Sequence, residues 1–150
     1  MKKVRVFVKT SICGPSSARP GRYAAIVECI TSCGPVTREI TGSELETTYN
    51  RSTLLAIMQA MMILKETCSI TIYTDNVFVK NTIEQGRPEQ WRRSEWKKPT
   101  GETVKNEELW KQYMDLQDGH EIAVRFSKHS DYSNKLSKML AEEKNKTKNK

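Results

Sequence analysis

With 150 residues and a formal charge of +7, the chain has the length of one domain and an excess of the cations that release counterions from phosphates. Hydrophobic residues at 37 % and charged residues at 29 % match a soluble globular fold and argue against a wholly disordered chain. No apolar run approaches the ~20 residues that span a bilayer, and "MKKVRVFVK" lacks the apolar core of a signal peptide, so a cytoplasmic location without a membrane partner is expected.

The elements follow in chain order. "KVRVFVKT" alternates Val4, Val6 and Val8 with Arg5, Phe7 and Lys9, the period-two pattern of a strand. A Gly/Pro/Ser loop leads to "RYAAIVECI", a turn at "TSCGP", and "VTREIT"; such short connections predict an antiparallel meander. From Asn50 to Lys65 the apolar residues recur at helical spacing, with Thr48 or Asn50 available as N-cap. The methionines of this segment are expected in the core. "SITIYT" is a nearly continuous apolar run, as a buried central strand should be. A helix from Asn76 to about Gln85 follows, then the polar, aromatic-studded excursion "GRPEQWRRSEWKKPTGETVKN". "EELWKQYMDLQ" predicts another helix, "EIAVRF" a fifth strand, and "SDYSNKLSKMLAEE" a closing helix. The order βββαβα–excursion–αβα implies an α/β fold with a mixed five-stranded sheet, antiparallel at first and parallel later, flanked by helices. The last residues, "KNKTKNK" over 144–150, carry alternating Lys and no apolar side chain, and are expected to be disordered. Cys13, Cys29, Cys33 and Cys68 show no CxxC pairing and are read as packing thiols.

This order, together with four motifs, resembles ribonuclease HI from about Val4 to Glu142, which implies a domain of residues 1–143. The most specific motif is "WRRSEWKKPTGETVKNEELW", close to that family's substrate-binding handle; "TTYNR", "YTDNVFVKN" and "GRYAAIV" are also similar. The resemblance implies a ribonuclease H-like fold acting on RNA/DNA hybrids. In that family four carboxylates bind two divalent ions that activate a water and stabilise the leaving oxygen.

The resemblance also locates where this chain departs. The first Asp, expected at the end of strand one, is Lys9 in "VKTS"; the helix Glu is Thr53 in "NRST"; the Asp after strand four is kept as Asp75; the Asp of the last helix aligns with Lys138 in "NKLSKMLA". Mg2+ requires hard oxygen ligands in near-octahedral array, which one Asp flanked by ammonium groups does not offer. The lysines would then stand in electrostatically for the metals, without an activated water. No cofactor is expected, or Mg2+ or Mn2+ if the protein is active. Asp131 is a possible substitute carboxylate beside His129, which matches the family's mobile histidine; Asp131 equally suits the N-cap of the last helix. Glu28, Glu44 and Glu46 are further acids to consider.

By the same resemblance, Thr48, Arg51 and Asn106 match positions that hold a DNA-strand phosphate, and Asn50 a minor-groove contact. Trp91 and Trp96, with Arg92, Arg93, Lys97 and Lys98, supply the rings and cations expected along a nucleic-acid backbone. Core packing is the expectation for Trp110. Glu89, Glu95 and Glu102 dilute the handle's charge, and Val77 replaces a commonly polar groove residue. The leading reading is a ribonuclease H-like protein that binds hybrid or other duplex nucleic acid without metal-dependent cleavage. Two alternatives stand beside it: an active hybrid endoribonuclease rebuilt around Asp75, and a protein-interaction adaptor on the same scaffold.

Overall fold

The computed structural model describes residues 1–14 and 17–148, the backbone alone for 145–148. Three strands come first: β1 (Lys2–Thr10), β2 (Arg19–Thr31) and β3 (Gly34–Thr47). They are followed by α1 (Tyr49–Met62), β4 (Cys68–Thr74), α2 (Val77–Glu84), α3 (Arg87–Arg93), α4 (Glu107–Gln117), β5 (Glu121–Phe126) and α5 (Ser133–Lys148). The sheet order is β3-β2-β1-β4-β5. The meander pairs antiparallel, while β1–β4 and β4–β5 pair parallel, as the expected βββαβαβ order requires.

The period-two pattern of β1 decides what covers each face. Val4, Val6 and Val8 join Ile70, Ile72 and Val27 in a core closed by Leu54, Ile57, Met58 and Met61 of α1. On the opposite face Phe7, Ala24 and Ile26 pack against Leu136, Met139 and Leu140 of α5. A strand buried on both sides forms the centre of the molecule, and its carboxyl end lies beside that of β4. In the parallel register Phe7 pairs with Tyr73; carried two residues further, the register sets Lys9 beside Asp75.

The structure differs from the sequence expectations in four places. β3 continues to Thr47, six residues past the expected end, because β2 is long enough to pair along its length. α1 stops at Met62 rather than Lys65. The excursion contains a helix, α3, with Pro88 in its first turn, where proline's fixed φ is already helical. α5 runs to Lys148, so helix continues into the tail expected to be disordered; Lys and Glu propagate an existing helix at little penalty. The tail's final residues, 149–150, lie outside the described residues.

Candidate nucleic-acid interface

β4 delivers Asp75 and Asn76 to the sheet's carboxyl edge. Asn76 caps α2, its Oδ1 accepting from the Val79 amide at 3.0 Å. Its buried Nδ2 donates to Asn50 Oδ1 at 3.0 Å and Thr53 Oγ1 at 3.1 Å. Thr53 therefore does lie beside the Asp75 turn. Its hydroxyl donates back to the Tyr49 carbonyl at 2.8 Å, the local bond a helical Thr commonly makes.

Asp75 is engaged by a neighbour the sequence reading did not single out. The Tyr49 hydroxyl donates to Asp75 Oδ1 at 2.5 Å. Burial, then the bond to Asp75, pushes the Tyr49 phenol well above its ordinary range.

Lys9 turns to the last helix and donates from Nζ to Ser137 Oγ at 2.8 Å. Lys138, the aligned position, is exposed. With Leu136, Met139 and Leu140 facing the sheet and 100° between successive residues, Lys138 falls on the solvent side of α5. Ser133 and Ser137, one turn apart, are the α5 residues on Lys9's side: Ser137 bonds it and Ser133 shares a crevice with it and Asp75.

Asp131 does not rebuild the acidic centre. Its side chain is 79 % exposed and lies 3.8 Å from Arg5, on the α5-covered face of the sheet. Nor does it cap the helix: Ser130 Oγ accepts from the Tyr132 amide, and Ser133 Oγ from the Ser130 amide. His129 is exposed and does not line the crevice beside Asp75. Glu28 is buried under Arg5 and Tyr132, and Glu44 is held by Arg51. Among the described residues no group of three or more His, Cys, Asp or Glu could hold a metal ion. The family's pair of divalent ions does not fit this donor set: one carboxylate holding a phenol, with an ammonium group on the adjacent strand.

From Asp75 a cleft of about 690 Å³ runs towards the handle, past Thr48, Tyr49, Asn50, Phe78, Trp91, Lys98, Lys105 and Asn106. Thr48 caps α1. Arg51 reaches Asn106 Oδ1 at 3.3 Å, so these three expected phosphate-holding residues do come together. Two carboxylates share the spot. Arg51 also donates to Glu44 at 3.1 Å and to Glu108 at 2.5 Å. The Arg51 guanidinium holds the Glu108 carboxyl below its usual range.

The handle's aromatic residues divide. Trp91 is half-buried, lines the cleft and packs edge-on against the buried Trp110. Trp96, expected on the interface, is 8 % exposed and belongs to the core. Two left-handed residues in succession, Glu95 and Trp96, turn its ring inward, under Lys111. Arg92 and Arg93 both lie by Glu89, at 2.6 and 3.7 Å. Lys97 and Lys98 are exposed.

The RNase H family model matches residues 1–146. The chain belongs to the ribonuclease H family. It is 34 % identical to the ribonuclease H of Chlorobium phaeovibrioides, over 92 % of either chain. It is also 34 % identical to that of Acetivibrio thermocellus, over 95 % of either chain. In structure it is similar to LC9-RNase H1, described as a type 1 RNase H with the type 2 active-site motif. That match has a TM-score of 0.76 at 20 % identity, over 93 % of this chain and 71 % of that one. LC11-RNase H1, solved in complex with RNA/DNA hybrid, matches with a TM-score of 0.58 at 9 % identity, covering 93 and 94 %.

Within this ribonuclease H fold, sequence reasoning missed Tyr49, Ser137, Lys105 and Phe78, and Lys128, which lines the crevice with Lys9 and Asp75. It also missed the carboxylate partners of Arg51. "TTYNR" contained a signal for Tyr49: one residue before Asn50, it faces the site from the first turn of α1. Among the described residues no helix is long and apolar enough to cross a membrane.

Proposed function

We propose that this ribonuclease H family member binds RNA/DNA hybrid, or a related duplex nucleic acid, along the cleft and handle, and does not hydrolyse it by the two-metal route. Family membership and the basic balance of +7 support a nucleic-acid partner. A foamy viral protease-reverse transcriptase solved with dsDNA shares the fold, as does the hybrid-bound LC11-RNase H1.

The observation that carries the inert reading is the state of Asp75: its Oδ1 takes the Tyr49 hydroxyl, while the strand beside it presents Lys9 bonded to Ser137. Neither ammonium nor phenol can take the place of an oxygen-ligated divalent ion in activating water. The chain's residues would therefore position the duplex without supplying a nucleophile: Trp91 and Lys98 from the handle, Thr48 and Asn50 from the start of α1.

The test is a labelled RNA/DNA hybrid incubated at high protein concentration with Mg2+ or Mn2+, beside the Asp75→Asn variant. The expected result is a salt-sensitive mobility shift without cleavage. Cleavage that disappears in Asp75→Asn would overturn the inert reading, and absence of both shift and cleavage would leave the adaptor role.

A further inference from the structure

The crevice between the ends of β1, β4 and α5 differs in sign from the carboxylate centre expected there. Its walls carry Lys9 and Lys128 with the hydroxyls of Ser127, Ser130 and Ser133, and Asp75 closes one side. We infer that Lys9 and Lys128, with Ser137 holding Lys9 in place, form an oxyanion seat that takes a phosphate group directly.

Three observations support the assignment. Lys9 Nζ uses one of its three donors, on Ser137. Among the described residues no carboxylate lies within ion-pairing distance of Lys9 or Lys128, so both charges are available to an anion. The negative side chain that does face the crevice, Asp75, has one oxygen occupied by Tyr49.

The contacts are those of side chains. The Ser130 and Tyr132 amides ahead of α5 are already bonded to Ser133 Oγ and Ser130 Oγ. The crevice is small, about 20 Å³, too small to take a phosphate inside, so the anion seats against the Lys9 and Lys128 side chains that line it.

A contrast within the same interface strengthens the inference. At the Arg51 site, expected to hold a phosphate, one cation faces Glu44 and Glu108. At the crevice, two cations face Asp75. The phosphate-attracting end of the interface has moved from α1 to the β1–α5 junction. As a contact to nucleic acid this rests on the proposed function; as an oxyanion site it does not.

The experiment follows backbone amide shifts of the 15N-labelled full chain during titration with inorganic phosphate in EDTA. It is paired with hybrid binding by fluorescence anisotropy in the same buffer. Shifts centred on Lys9, Lys128 and Ser137, lost in Lys9→Gln/Lys128→Gln, are expected. Hybrid affinity in that variant should fall about tenfold with a shallower salt dependence, while Lys65→Gln, at the far end of the sheet, leaves both unchanged. Gln at position 9 can still donate to Ser137, which keeps the fold. Phosphate shifts lost without a change in hybrid affinity would support the seat and make its ligand a free phosphate or monoester. A wild-type chain that shifts with phosphate but ignores hybrid would refute the nucleic-acid reading and leave the seat standing. Absence of localised phosphate shifts, or their persistence in the double variant, overturns the inference whatever the hybrid does.

Discussion

The Tyr49 hydroxyl donates to Asp75 Oδ1 at 2.5 Å, bridging the first turn of α1 to the end of β4. The Tyr49 ring also lines the cleft, so a single side chain both engages the retained carboxylate and forms the groove wall.

Tyr49→Phe should destabilise the fold by about 1.5–3 kcal/mol, the range for a hydrogen bond to a charged group. The phenol is raised in the folded state by burial and by Asp75, whereas an unfolded tyrosine ionises near ~10. Above that pH the unfolded chain binds fewer protons, so stability present below about pH 10 is lost as pH rises. Denaturant melts between neutral pH and about pH 11 should show a shallower alkaline decline in Tyr49→Phe than in wild type.

At the acid end the decisive pair is Arg5 and Glu28. Arg5 donates to both Glu28 oxygens, at 2.6 and 2.9 Å, and the Tyr132 hydroxyl adds a third bond at 2.5 Å. Chiefly through the Arg5 bonds, the Glu28 carboxyl is held below its usual range. Its contribution is full above the ordinary value of about 4.3 and is lost as pH falls through the folded value. Glu28→Gln should cost about 2 kcal/mol at neutral pH, less than the ~3–5 of a wholly buried pair because Arg5 is 35 % exposed. Its acid melting curve should be correspondingly flatter below about pH 5.

Glu44 and Glu108 occupy Arg51, so on the proposed function a phosphate would have to compete with them. Glu108→Gln should tighten hybrid binding about three- to fivefold at low salt, corresponding to ~0.5–1 kcal/mol for a partly exposed charge. Arg51→Ala alone should change affinity little. Anisotropy titrations at two salt concentrations check both, and a large loss in Arg51→Ala would show that phosphate displaces the carboxylates.

The α5 geometry makes a further distinction. Lys9→Asp with Thr53→Glu and Ser137→Asp should bind Mn2+ measurably by calorimetry, since Lys9 reaches Ser137 and Thr53 lies beside the Asp75 turn, which gathers the three new carboxylates around Asp75. The same set with Lys138→Asp in place of Ser137→Asp should not, because position 138 faces solvent. Equal binding by the two sets would contradict the helix orientation described above.

Trp96→Ala should destabilise the fold by about 3–4 kcal/mol, as an aromatic core truncation does. Trp91→Ala should instead weaken hybrid binding. Thermal melts and anisotropy separate the two effects.

The fold was legible because its signals are local. Alternation in β1, helical spacing in α1 and the apolar run of β4 each depend on neighbours a few residues away. Asp75 was legible for the same reason, lying directly after a strand and before the Asn76 cap. Trp96 was misplaced because composition does not reveal ring direction, which two successive positive φ angles set. The helical extension of α5 was misjudged because polarity alone does not prevent Lys-rich residues from prolonging a helix already anchored by Leu136, Met139 and Leu140.

The sequence by itself determined the order of the strands and of the main helices, the alternation of β1, and the presence of Lys9 and Thr53 where acids were expected. The tertiary structure decided which side chains meet. Tyr49 and Asp75 are 26 residues apart, and Lys9 and Ser137 are 128 apart. Such pairs form only when strands return in parallel and a helix packs in one rotational setting, and that setting is chosen by the buried leucines and methionine rather than by the polar residues it brings together. The same rotation sends Lys138 to solvent and brings Ser137 to Lys9.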